Sequence, residues 1–122
     1  MKILVIDDEE DIRRIARLSL TKVGKMDVVD ASGGPEGVRM AASERPDAIL
    51  LDVMMPGLDG PATLSALRSN PVTAEIPVVF LTAKAMASEV ERLKGLGARD
   101  VLIKPFDPMS LPAELKACLQ KA

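Results

Sequence analysis

The sequence predicts an α/β domain in which five parallel strands form one sheet, covered by helices on both faces in a three-layer sandwich. Three observations lead there. Short runs of branched aliphatic residues alternate with helical patterns along the whole chain. The clearest of these runs are continuously apolar, as strands buried on both faces must be. Four of the five are also followed at once by a charged or hydroxyl residue. In an open parallel sheet, ligands bind beyond the carboxyl ends of the strands, so this placement is what a functional edge requires.

Taken in order, Ile3-Leu4-Val5-Ile6 is the first strand. Ile12, Ile15, Ala16 and Ser19 then recur at helical spacing, in a helix that ends near Gly24. Val28-Val29 is the centre of a weaker second strand, and Pro35 opens a helix through Val38 and Ala41-Ala42 that Pro46 punctuates. Ala48 to Leu51 is the third strand, followed by a turn-rich loop from Met54 to Gly60 and a helix opened by Pro61. Ile76 to Leu81 is the fourth strand. Ser88 and Glu91 have capping-box spacing for the fourth helix, and Gly97 marks its end. Val101 to Ile103 is the fifth strand and Leu111 to Leu119 the last helix. Right-handed helical crossovers between parallel strands account for this alternation. No linker, repeat or low-complexity tract interrupts it, so residues 1–122 read as one domain.

Composition narrows the function. The 122 residues are 48% hydrophobic and 28% charged, which suits a soluble globular domain rather than a disordered chain. With two Phe and no Tyr or Trp, the core must be built from aliphatic residues, Met and Ala. A net charge of −2 and the lack of any Lys/Arg run argue against direct nucleic-acid binding. The opening apolar run of four residues is too short for a signal peptide or a membrane span. The single Cys118 has no internal disulfide partner and reads as a helix-packing residue. A reducing cytoplasm is the expected compartment.

The strand ends carry the chemistry. Asp7, Asp8 and Glu9 follow the first strand, Asp52 the third, Thr82 and Ala83 the fourth, and Lys104 the fifth. Each has an ordinary explanation alone: a solvated loop acid, a β-forming threonine, a surface lysine before proline. Their joint occurrence at one edge points instead to a common site. Three neighbouring carboxylates resist simultaneous ionisation, and a hard divalent cation such as Mg²⁺ relieves that conflict. A carboxylate can act as a nucleophile toward phosphorus. The transferring phosphoryl group needs its charge held by a metal, a cation and a hydrogen-bond donor. Mg²⁺, Lys104 and the Thr82 hydroxyl supply one of each.

These residues resemble the receiver domain of bacterial response regulators. The resemblance rests on ILVIDDEED at 3–11, ILLDVMMPGLDG at 49–60, VVFLTA at 78–83 and IKPF at 103–106. It implies a flavodoxin-like (βα)5 fold with strand order 2-1-3-4-5, for which chemotaxis receivers are a known example. It implies that Asp52 accepts the phosphoryl group from a phospho-histidine on a sensor histidine kinase or a histidine phosphotransfer protein. Asp8, Asp52 and the backbone carbonyl of Met54 would hold Mg²⁺ directly, with Asp7 acting through a metal-bound water. Lys104 would pair with Asp52 and then with the phosphoryl oxygen. Thr82 would turn toward the phosphate, with small Ala83 leaving room, and Glu9 would tune charge. The Lys104–Pro105 bond is expected to be cis. The face built from the fourth helix, fifth strand and fifth helix would change its binding of an unknown protein target.

Val101 departs from the family pattern, which places Tyr, Phe or His three residues before the lysine. Without a ring to report on Thr82, the output is expected to run through the loop after strand four and the fourth helix. In the family, the positions of Met54 and Lys84 flank the phosphoryl group, and apolar Met54, which cannot orient an attacking water, implies self-dephosphorylation that is not especially fast. Two rivals are weaker. An aspartate-nucleophile phosphatase needs a second Asp where Met54 stands, and a pseudo-receiver usually lacks an acid or the lysine. The chain stops soon after the last helix, so either a stand-alone regulator or the receiver of a larger protein is expected, the opening Met favouring the first.

Overall fold

The computed structural model describes residues 1–120. Strands β1 (Lys2–Ile6), β2 (Asp27–Ala31), β3 (Ala48–Asp52), β4 (Val78–Thr82) and β5 (Asp100–Ile103) alternate with α1 (Glu10–Leu18), α2 (Gly34–Glu44), α3 (Gly60–Ser69), α4 (Ala87–Gly95) and α5 (Leu111–Leu119). They form one sheet in the order β2-β1-β3-β4-β5, and every neighbouring pair is parallel. This is the expected flavodoxin-like topology, whose order reverses between β1 and β3.

Side chains alternate across a strand, and that alternation divides the core into two layers. Ile3, Val5, Leu50, Val79 and Leu81 pack with Ala16 and Leu20 and with Leu111, Leu115 and Cys118 of α5. Leu4, Ile6, Ile49, Leu51, Val78 and Phe80 pack with Ala41 of α2, Leu64 and Leu67 of α3 and Leu93 of α4. Both faces of β3 and β4 are buried along their whole length, which is why those runs are continuously apolar until the last residue.

Two local expectations need correction. The fourth strand begins at Val78 rather than Ile76. Pro77 has no N–H to give a ladder, and the Ile76 carbonyl is taken by the Arg68 guanidinium at 2.8 Å. Ser88 and Glu91 form no capping box. Met86 is the N-cap, without a side-chain hydrogen bond, so Ser88 already lies inside the first turn. There Glu89 accepts from Arg92 instead, at 2.7 Å. The first helix does stop at Gly24, but its last stretch, Ser19–Val23, widens into a π-turn closed by the Gly24 N–H on the Ser19 carbonyl. Gly97 fulfils its expected role: its φ of +106° is a conformation side chains avoid, and the chain reverses there after α4.

Candidate functional site

The same alternation that builds the core aims the site. Asp52 lies two residues past Leu50 and so inherits the α1/α5 side of the sheet. Asp7 follows Val5 by two, and Lys104 follows Leu102 by two, with Leu102 packed on that same layer. Three strands therefore deliver their polar terminal residues to one side of one edge, beside the β1/β3 reversal. Thr82, two beyond Phe80, has the opposite parity and faces the α4 side.

The resulting geometry is compact. Ligand oxygens of Asp7, Asp8 and Asp52 all lie within 4.8 Å of one another. Asp7 and Asp52 are buried, whereas Asp8 is exposed at the mouth. Lys104 Nζ donates to Asp52 Oδ1 at 3.2 Å and sits 3.0 Å from Asp7 Oδ2 and 3.7 Å from Glu9 Oε1. The Lys104–Pro105 bond is cis, as expected. The Asp7 contact is close enough for an ion pair but outside hydrogen-bond alignment, so Asp7 Oδ2 is a buried oxygen with no hydrogen-bond donor. Its other oxygen accepts the Glu9 N–H at 2.9 Å, closing the turn that leads into α1.

Charge in this notch is unbalanced. Burial, and then the neighbouring Asp7 charge, push the Asp52 carboxyl up to about 6, against the pull of Lys104 and the Met54 N–H. Burial also works against the Lys104 charge, but Asp7 and Asp52 outweigh it and hold the ammonium above the usual lysine range. One ammonium thus serves three carboxylates, Glu9 standing further out. A small hard cation with oxygen ligands fits this donor set, and Asp7 Oδ2, ion-paired with Lys104 but outside hydrogen-bond alignment, gives it, or a water bound to it, a place to bind.

Two features bound the pocket from behind. Asp59 caps α3 by accepting the Ala62 N–H at 2.9 Å. A Cβ on Gly60 would lie 2.5 Å from the Asp52 carbonyl oxygen and 2.8 Å from Val53 Cα, so only glycine lets α3 start against the backbone that carries Asp52. On the outer side, Met54 is 67% exposed and Lys84 is also exposed.

Thr82 is not joined to this cluster by any described hydrogen bond. It is buried, and its Oγ1 accepts the Lys84 N–H at 3.1 Å. Val101 also lies on the α4 side, against the layer that contains Phe80. Sequence reasoning missed Arg13 altogether. It lies on α1, donates from Nη1 to the Asp7 carbonyl oxygen at 2.8 Å and places Nε 3.6 Å from Asp30 Oδ2. Its only sequence signal was a cation six residues after the first acid, on a helix already rich in arginine.

An acidic notch at the reversal point of a parallel five-stranded sheet, with a lysine from the last strand bridging its acids, defines a class. Residues 3–116 match the family described as the response regulator receiver domain, and the chain belongs to it. Receiver domains are phosphorylated by sensor kinases in two-component systems and bind Mg²⁺ at an acidic pocket of this kind. Among its relatives, the chain is 42% identical over 123 residues to the alkaline phosphatase synthesis transcriptional regulatory protein PhoP of Bacillus subtilis, covering 99% of this chain and 49% of that protein. It is 42% identical over 118 residues to the response regulator PleD of Caulobacter vibrioides, covering 95% of this chain and 25% of that one. Among solved structures, the chemotaxis protein CheY4 of Vibrio cholerae superposes with a TM-score of 0.88 at 31% identity, covering 96% of this chain and 97% of its own. The chain thus spans half or less of the two longer regulators. Among the described residues, no helix is long and apolar enough to cross a membrane.

Proposed function

We propose that this receiver accepts a phosphoryl group on Asp52 in a Mg²⁺-dependent reaction and thereby switches the binding of a protein partner. The observation that carries the reading is the buried Asp52 carboxylate, bonded to Lys104 at 3.2 Å and clustered with Asp7 and Asp8. In the reaction, an Asp52 oxygen attacks phosphorus, the phosphorus–nitrogen bond of a phospho-histidine breaks, and the imidazole leaves with that electron pair. These 122 residues contain no histidine, so the donor imidazole lies outside them, in this reading on a sensor histidine kinase or a histidine phosphotransfer protein.

Asp8 and Asp52 with the Met54 carbonyl would hold Mg²⁺, and Asp7 would reach it through water. When bound, the metal supplies positive charge to the phosphoryl oxygens during transfer. Lys104 releases Asp7 and Asp52 and pairs with a phosphoryl oxygen. Thr82 exchanges its Lys84 N–H contact for the phosphate, which moves the β4–α4 loop and alters the surface of α4, β5 and α5. The chain promotes only its own phosphorylation and dephosphorylation and turns over no other substrate. A cytoplasmic location belongs to the same reading, because the kinase that makes the donor draws on cytoplasmic ATP.

The test is incubation with acetyl phosphate and Mg²⁺, followed by intact-mass measurement. Wild type should gain one phosphoryl group, and Asp52→Asn or wild type in EDTA should gain none. Modification of Asp52→Asn to the same extent would overturn the assignment.

A further inference from the structure

Arg13 touches no carboxylate of the notch, yet it is tied to the backbone between two of them. The chain leaves β1 at Ile6 and enters α1 at Glu10, so Asp7, Asp8 and Glu9 form the whole connection. Asp7 is fixed on three sides. Its N–H donates to the Ala31 carbonyl of β2 at 3.2 Å, its Oδ1 accepts the Glu9 N–H, and its carbonyl accepts Arg13 Nη1 at 2.8 Å. That last carbonyl belongs to the peptide unit joining Asp7 to Asp8. Because the carbonyl oxygen reports ψ of Asp7, holding it fixes that torsion, and an uncompensated rotation there would carry Asp8 with it. The Asp8 side chain is itself exposed and makes no described hydrogen bond. Arg13 is held in turn. Its side chain is only 17% exposed, and Asp30 at the end of β2 receives both its Nε at 3.6 Å and Arg17 Nη1 at 3.1 Å.

We infer that Arg13 is a positioning residue for the metal site: braced by Asp30, it locks the Asp7–Asp8 peptide so that the Asp8 carboxylate is presented to the cation beside Asp7 and Asp52. The inference rests on the Mg²⁺ reading above. It has a physical alternative of opposite sign. A guanidinium near the notch repels a divalent cation, so as a mere charge Arg13 weakens metal binding and its removal would strengthen it. As a lock, its removal frees the peptide and weakens binding, on the scale of about tenfold seen when groups that orient metal ligands are lost. The chemistry of the contact favours the lock. A charge-assisted bond to a carbonyl fixes geometry without consuming any of the carboxylate lone pairs the cation needs, unlike the contacts of Lys104.

Mg²⁺ affinity of the full chain should be measured by calorimetric titration for wild type, Arg13→Met and Arg13→Lys, with each variant's melting temperature in EDTA as the folding control. Arg13→Met should bind Mg²⁺ about tenfold more weakly, although it has lost a repelling charge, and Arg13→Lys should recover part of the loss. The amide of Asp8 should shift in metal-free Arg13→Met. Equal or tighter binding by Arg13→Met overturns the inference and leaves the Mg²⁺ reading standing; no binding by wild type overturns that reading instead. If Arg13→Met does not fold, Arg13→Gln carries the same test of sign.

Discussion

Asp52 is buried beside a second acid because its strand is buried, and that placement makes it both a poor anion and a useful one. Burial, and then the Asp7 charge, push its carboxyl from the ordinary 3.8 up to about 6. Between those two values the folded state binds more protons than the unfolded state, so this group's contribution to stability falls as pH rises. Asp52→Asn has no such titration. In EDTA, its melting temperature minus that of wild type should therefore be larger at pH 7.5 than at pH 4.5, by about 5 °C, which corresponds to one or two kcal/mol in a domain of this length. An equal difference at both pH values would mean that ionising Asp52 is no burden on the fold. Met54 presents a different property. It stands 67% exposed at the mouth of the notch and has no group that can orient a water for attack on a phosphoryl group. Phospho-Asp52 should decay several-fold faster in Met54→Asn, followed by loss of the added mass with time. An unchanged decay rate would refute a role for this position.

At the scale of elements, the proposed switch would run from the site to the surface through β4 and the loop into α4. Thr82 lies on the α4 side of the sheet, and its hydroxyl is engaged by the Lys84 N–H. If it turns to a phosphate, that N–H loses its acceptor and the loop through Met86 must rearrange. Val101, on the same face, has no ring to swing into the vacated space, so the loop and α4 must carry the signal. With a phosphoryl mimic such as beryllofluoride, the largest amide shifts beyond the residues around Asp52 should fall in residues 82–97. A response confined to the loops around Asp52 would sink this route. The strand-end logic of the site was legible in the sequence because burial on both faces makes β1, β3 and β4 continuously apolar, so the first polar residue after each of those runs marks the strand's end. Asp7 and Asp52 were picked out that way and lie together with Lys104, whereas Thr82, picked out by the same rule, faces the α4 side. What stayed illegible depends on partners brought in by the fold. The start of β4 was set by Arg68 reaching the Ile76 carbonyl from α3, the N-cap of α4 fell on Met86 with no side-chain signature, and Arg13 acts on a backbone carbonyl, for which spacing offers no rule.

The whole molecule balances a well-packed sheet against a locally unfavourable edge. Two aliphatic layers with buried Leu, Ile, Val and Phe80 supply the stability. The edge gathers the Asp7, Asp8 and Asp52 carboxylates beside one ammonium, which pairs with Asp7 and Asp52 but has no described contact to Asp8. Such a site is destabilising when empty, because like charges are held together by the packing of everything else. A cation that binds only the folded arrangement reverses that contribution by mass action. Stabilisation reaches about 2.7 kcal/mol at a concentration one hundred times the dissociation constant. The melting temperature should rise with the logarithm of Mg²⁺ concentration once the site is near saturation. Asp8→Asn separates the two halves of this balance. Asp8 is exposed, so its loss leaves the core intact while removing one of the three repelling charges. In EDTA the variant should melt at or slightly above the wild-type temperature, and in Mg²⁺ it should lose most of the wild-type rise. A variant that melts well below wild type in EDTA would show that Asp8 supports the fold itself. A variant that keeps the full Mg²⁺ response would show that the cation binds elsewhere.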